Sequence, residues 1–152
     1  MTIALTSSAF TDGATIPRKH TCDAEDTSPD LKWSGVPNGT KSLSLICDDP
    51  DAPVGTWVHW VLFNIPADAT TLAAGIPADA TLQNGACHGR NDFRKLGYGG
   101  PCPPGGTHRY YFKLYALDTV LNIESGCTKA QLLAAMKGHI LSEGQLMGKY
   151  KR

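Results

Sequence analysis

The amino-acid sequence predicts an all-β fold, and three observations carry that prediction. Sixteen glycines and ten prolines punctuate the chain at short intervals. The runs between them are rich in β-branched and aromatic residues, and one segment alone has clear helical spacing. Such a rhythm belongs to a sandwich or a barrel. At 152 residues the chain has the length of one domain and buries a core without staples. No repeat, linker or low-complexity stretch divides it, so residues 1–152 are read as a single domain.

The strands follow in order. Residues 41–47 (KSLSLIC) alternate polar and apolar, which places Leu43, Leu45 and Cys47 on one face. Residues 56–65 (TWVHWVLFNI) are dense in aromatic and β-branched side chains, and residues 109–117 (RYYFKLYAL) form a third run. Both of these predict central strands covered on each face. Thr128 and Gln131 have the spacing of a capping box, and Leu132, Leu133, Met136 and Ile140 follow at helical spacing with Gly138 as a stop. Residues 140–150 predict a last strand.

Composition excludes several functions. Fourteen basic residues balance fourteen acidic ones, so no basic field draws the chain to nucleic acid or to an anionic membrane. No run is long enough to span a bilayer, and the first ten residues lack the pattern of a secretory signal, so the expected location is cytoplasmic, without membrane insertion. Cys22, Cys47, Cys87, Cys102 and Cys127 are odd in number and contain no C-x-x-C pair. They are expected to be reduced thiols that bind no metal.

Three segments carry chemistry. DDPDAP at 48–53 follows an apolar strand, and its prolines fix φ and remove two N–H donors, so Asp48, Asp49 and Asp51 ride on a stiff corner whose X-Pro bonds are compatible with either isomer. In the next strand, period two places Trp57, His59, Val61 and Phe63 on one face. A glycine–proline loop, GGPCPPGGT at 99–107, then runs straight into His108, Arg109 and Tyr110, with His108 and Tyr110 pointing the same way. Such loops present backbone to a ligand and make concave anion sites. A histidine on an apolar face is ordinarily a satisfied core residue, and a bare D-P-D a solvated turn. In combination, two imidazoles, a phenol, an oriented carboxylate and a donor-rich loop make a grip for one phosphate group, with the aspartate setting the histidine tautomer and favouring its charged form.

DPDAP (49–53), TWVHW (56–60) and GGTHRYYF (105–112), together with SPDLKWSGVP (28–37) and GRNDF with GYGGPCPP (89–104), resemble, in order and spacing, the signature blocks of the phosphatidylethanolamine-binding protein family. The resemblance covers nearly the whole chain and points to the shorter bacterial and archaeal, Raf kinase inhibitor-like branch. It implies an antiparallel β-sandwich with one or two short α-helices and a small surface pocket formed by Asp49, His59, His108 and Tyr110. Gly100, Pro103 and Pro104 would form a wall, and Asp51 and Trp57 would support it. Arg109 is read as an ion-pair partner facing away from His108. The chain lacks the helical C-terminal extension of eukaryotic members and has TWVHW where they have adjacent histidines, so their headgroup specificity does not transfer.

The leading expectation is a non-catalytic binding protein for phosphate, a phosphomonoester or a phospholipid headgroup, needing no cofactor, with affinity that weakens as pH rises through the histidine range. The alternative is an inhibitor of a serine protease or kinase partner acting through a surface loop. An enzyme is the third reading. His59, His108 and Asp49 match a facial metal triad in residue type, His–Asp–Tyr matches acid–base chemistry, and Cys102 is a candidate nucleophile. There is no H-E-x-x-H spacing and no G-x-S-x-G elbow, so no catalytic residue is assigned. His20, His88 and His139 are given no role, with His88 placed in a surface loop or at the site's rim. Arg90 and Asp92 are expected to tie down the 89–92 segment. A homodimer is compatible with the family, with Tyr98 and Tyr111 as exposed aromatic contacts.

Overall fold

A computed structural model of the chain describes residues 2–152. In chain order the elements are β1 (Ala4–Thr6), β2 (Leu31–Ser34), β3 (Ser42–Asp49), β4 (Trp57–Pro66), β5 (Thr71–Leu72), β6 (Cys87–His88), β7 (Thr107–Leu117), α1 (Lys129–Met136) and β8 (Ile140–Lys151), with a 3₁₀ turn at Arg18–His20. The paired strands are antiparallel and make two sheets, β1-β2-β5 and β6-β4-β3-β7-β8. The β-sandwich with one short helix is therefore the observed architecture.

The main core joins the two sheets. Leu5, Leu31 and Trp33 of the small sheet belong to one buried cluster with Leu43, Leu45, Trp60, Leu62, Phe112 and Leu114 of the large one. A second cluster covers the other face of the large sheet, where Ile46, Val61 and Phe63 meet Leu132 and Met136 of α1. Helix α1 starts at the expected capping box: Thr128 Oγ1 accepts from Gln131 N–H, and Gln131 Oε1 accepts from Thr128 N–H. The helical spacing ends at Met136. Leu133 is exposed, and Ile140 belongs to β8, because Gly138 with φ +84° turns the chain into that strand.

Two irregularities overturn the expected facing of β4. Cys47 pairs with Trp60 whereas Asp48 pairs with Val58, so His59 is the extra residue of a β-bulge. A second shift lies between Leu43 and Leu45, opposite 62–65, where Asn64 has a φ of +55°. His59 thus stays beside Tyr110 of the main core, while Val61 and Phe63 join the cluster beneath α1. Strict alternation cannot anticipate this, since one inserted residue reverses the facing of everything beyond it. β4 is buried on both faces apart from its ends, as expected; β7 is covered fully on one face only, with Arg109 exposed and Tyr111, Lys113 and Tyr115 half-buried.

Candidate functional site

One end of the large sheet collects the C-terminus of β3, the start of β4 and the start of β7. The acid corner closes there: Asp49 Oδ1 accepts from Asp51 N–H at 2.7 Å, which folds the proline-braced turn back on itself. The peptide bonds of this turn are trans. Asp51 then reaches outward, and its carboxylate takes a bidentate ion pair from Arg109 at 2.8 Å on each arm, plus the Arg109 backbone N–H. This fork holds the acid corner against the first turn of β7 and keeps the Asp51 carboxyl down at about 2. Arg109 is the ion-pair partner that alternation predicts.

Asp49 itself is 3% exposed, and its second oxygen, Oδ2, accepts from His108 Nδ1–H at 2.6 Å. Both carboxylate oxygens are thus engaged by protein, and Asp49 stands behind the His108 ring. His59 is anchored differently. Its Nδ1–H donates to the Gly99 carbonyl at 2.6 Å, and Gly99 N–H returns a bond to the His59 carbonyl at 2.9 Å. A carbonyl and a carboxylate only accept, so both rings carry their hydrogen on Nδ1, and Nε2 is the ring nitrogen that these two bonds do not use. Burial pushes the His59 imidazole below its ordinary value, and the Gly99 bond offsets this in part. Tyr110, raised far above the ordinary phenol range by burial and then by Asp49, stays protonated between the two rings, edge-on to His59 at 5.1 Å and stacked with His108 at 6.5 Å.

These groups line a cleft of about 210 Å³. Asp49, His59, His108, Tyr110, Trp57, Pro103 and Pro104 all reach it; Gly100 and Asp51 do not. Gly100 lies behind the wall, its N–H given to Asp26 Oδ1 at 2.8 Å, and a methyl there would strike that oxygen and the His20 carbonyl. Val54 and Phe93 also line the cleft and were not expected. Phe93 packs edge-on against Trp57 at 5.6 Å and His59 at 5.4 Å. Its loop is shaped by Asn91, whose side chain bonds Gly97, Phe93 and Lys95, and by Asp92, which accepts Val58 N–H. An asparagine two residues before a solvent-facing phenylalanine is the only sequence signal for it. Asp92 ties the segment down as expected; Arg90 contributes through its backbone N–H to the Cys127 carbonyl.

Other expectations are corrected. Cys22 and Cys102 form a disulfide across 80 residues, with Cα atoms 5.4 Å apart, while Cys47, Cys87 and Cys127 are free. Cys102 lines the cleft as half of a disulfide, so it has no thiolate to act as a nucleophile. No spacing rule links two cysteines in different loops; the fold brings them together. His88 is neither at the rim nor in a surface loop: it is fully buried, accepting from Trp60 Nε1–H and donating to the Asp79 carbonyl. Tyr98 is not an exposed contact either. It packs on Trp60 and donates its hydroxyl to the His20 carbonyl, while Tyr111 lies between Arg109 and Lys113. Among the described residues no group of three or more His, Cys, Asp or Glu side chains is placed to hold a metal ion, because Asp49 turns to His108 Nδ1 instead of joining the two Nε2 atoms. No helix is long and apolar enough to cross a membrane.

The fold is a two-sheet antiparallel sandwich with an imidazole-lined cleft at the end of its larger sheet. The chain belongs to the phosphatidylethanolamine-binding protein family, whose sequence profile matches residues 6–151. A UPF0098 protein of Methanothermobacter thermautotrophicus is 55% identical over 148 residues, 97% of this chain and 98% of that one. The crystal structure of a Chlamydia trachomatis homologue of the family, CT736, superposes with a TM-score of 0.91 at 45% identity, covering 99% of this chain and 98% of that one. Escherichia coli YbcL, described as a member of the mammalian PEBP family, superposes with a TM-score of 0.93 at 36% identity, covering 100% and 99%.

Proposed function

We propose that the cleft captures a phosphate-type anion, free or as the monoester end of a larger molecule, and that the protein binds without reacting. The observation that carries this reading is the matched anchoring of His59 and His108, each held through Nδ1 by an acceptor behind it so that Nε2 is left for the cleft. A neutral ring in that tautomer offers a lone pair, which repels an anion; a protonated ring offers N–H. Anion capture is therefore coupled to proton uptake. The Asp49 carboxylate holds the His108 ring by Nδ1 in a fixed orientation, and the apolar walls supplied by Trp57, Phe93, Pro103 and Pro104 strengthen every charge–charge contact inside. A cleft of about 210 Å³ has room for a headgroup, and not for acyl chains.

Three features support binding without turnover. Cys102 is oxidised, Tyr110 holds its proton firmly, and Asp49 has both oxygens committed. Calorimetric titration of inorganic phosphate and O-phosphoethanolamine into the wild type, His59→Ala and His108→Ala tests the reading. Each variant is expected to keep its circular-dichroism spectrum and to lose about tenfold or more in affinity. Unchanged affinity in both variants rejects the assignment.

A further inference from the structure

The wall of the cleft is held unevenly. Upstream of it, three hydrogen bonds tie the glycine–proline loop to the strap at residues 20–26: Tyr98 hydroxyl to the His20 carbonyl at 2.6 Å, Gly100 N–H to Asp26 Oδ1 at 2.8 Å, and Cys22 N–H to the Pro101 carbonyl at 3.1 Å. The strap is anchored in turn, since Asp23 accepts from the Tyr150 hydroxyl and from Arg152. Beyond Pro101 the pattern stops. Two prolines lack an N–H, and residues 102–106 make no hydrogen bond, ion pair or ring contact among the described residues until β7 begins. The Cys22–Cys102 disulfide is the sole cross-link in that stretch, and it sits directly before Pro103 and Pro104, which form the wall. Both cysteines are half-buried, not sealed from solvent.

We propose that this disulfide is a redox latch on the cleft, so that the anion site is assembled in the oxidised protein and loosened in the reduced one. This rests on the anion reading of the same site. The chemistry is thiol–disulfide exchange with a small thiol or dithiol reductant of the glutathione or thioredoxin class. Its thiolate attacks one sulfur, forming a mixed disulfide and expelling the other cysteine as a thiolate that takes up a proton. A second thiolate resolves the mixed disulfide, and the reductant leaves as its own disulfide. Two electrons and two protons thus enter Cys22 and Cys102. The upstream hydrogen bonds persist, so loosening is confined to residues 102–106. Pro103 and Pro104 move away from His108 and Tyr110, and water enters a site that needs to be dry.

The test uses the full chain in its oxidised form and after reduction with dithiothreitol, with Cys22→Ser as a reagent-free mimic. Backbone ¹⁵N order parameters at Cys102, Gly105 and Gly106 are expected to fall from the rigid range near about 0.85 to below about 0.6 on reduction, while β3, β4 and β7 keep their dispersed spectrum. Affinity for inorganic phosphate is expected to weaken about five- to tenfold in the reduced protein and in Cys22→Ser, with no further effect of dithiothreitol on the variant. Unchanged order parameters overturn the latch. So does a general collapse of the spectrum, which makes the bond a structural staple, or a loosened wall with unchanged affinity. Failure of the oxidised protein to bind phosphate rejects the anion reading instead, and the order parameters then decide the latch alone.

Discussion

Asp49 Oδ2 lies 2.6 Å from His108 Nδ1, and both side chains are almost wholly shielded from water. The pair joins the end of β3 to the start of β7 across 59 residues of sequence, and it fixes which nitrogen of His108 faces the cleft. Asp49→Asn removes the charge behind the ring while keeping its shape. It is expected to lower phosphate affinity by a factor of about ten to a hundred, the size of one charge-assisted hydrogen bond at roughly 1.5–3 kcal/mol. Calorimetry reads the affinity, and imidazole ¹⁵N shifts read the tautomer; wild-type affinity with an altered tautomer would remove Asp49 from the binding mechanism.

His59 gives the site a pH dependence whose sign is fixed. Its folded-state pKa lies below the ordinary value of 6.5 because of burial, so in the unliganded protein the unfolded chain takes up the proton first as pH falls. His88 is shifted the same way by burial. Unliganded stability is therefore expected to decline as pH drops below about 6.5. Sulfate is the cleaner probe, since its charge is constant over this range. Its affinity should rise between pH 7 and pH 5.5, and calorimetry in buffers of different ionisation enthalpy should show net proton uptake. Binding that is flat with pH contradicts the imidazolium mechanism.

The Asp51–Arg109 fork sets an acid limb. Asp51 is depressed from 3.8 to about 2, first by its bonds from Arg109, so its contribution is present above pH 3.8 and is lost as pH falls toward 2. In Arg109→Ala the Asp51 carboxyl should titrate near 3.8, its ordinary value, so this group's share of the acid-dependent loss of stability should disappear. NMR of the carboxyl carbon follows the first effect and circular dichroism the second.

Closing an 80-residue loop makes the Cys22–Cys102 bond a stabilising one apart from any role at the cleft. Reduction is expected to lower unfolding free energy by roughly 2–4 kcal/mol, the typical range for a disulfide. Denaturant titration with and without dithiothreitol measures it. A change below about 0.5 kcal/mol would mean that the two loops are held equally well by their hydrogen bonds.

Gly100 marks how closely the wall leans on the strap. Gly100→Ala brings a methyl against Asp26 Oδ1 and the backbone carbonyl of His20, the second of which has no freedom to move aside. The substitution is expected to cost about 1–3 kcal/mol and to weaken phosphate binding through a displaced loop. Equal stability to wild type, by thermal denaturation, would show that the loop relaxes freely.

Much of this was legible in the linear chain, for reasons that are local. Capping at Thr128 depends on three neighbouring residues, the stiffness of 49–53 on two prolines, and the facing of His108 and Tyr110 on a strand without a bulge. The β4 facing beyond His59 was not legible, because a bulge depends on the partner strand: the extra residue is defined only by how Cys47 and Asp48 pair. Phe93 was missed because a loop aromatic has no periodicity to place it, and Gly100 was misplaced because its loop turns away from the cleft at the Asp26 carboxylate.

By itself the sequence determined the class of fold, the strands and helix that build it, and most of the side chains at the end of the large sheet. These are written in period, in turn residues and in caps, interactions that span a few positions. Only the tertiary structure decided which nitrogen of His59 and of His108 is anchored, that Asp49 bonds the back of the His108 ring, and that Cys22 and Cys102 are bonded. Each of these is a contact between groups 40 to 80 residues apart. Such contacts exist only once the chain has paid the entropy of bringing its distant segments together.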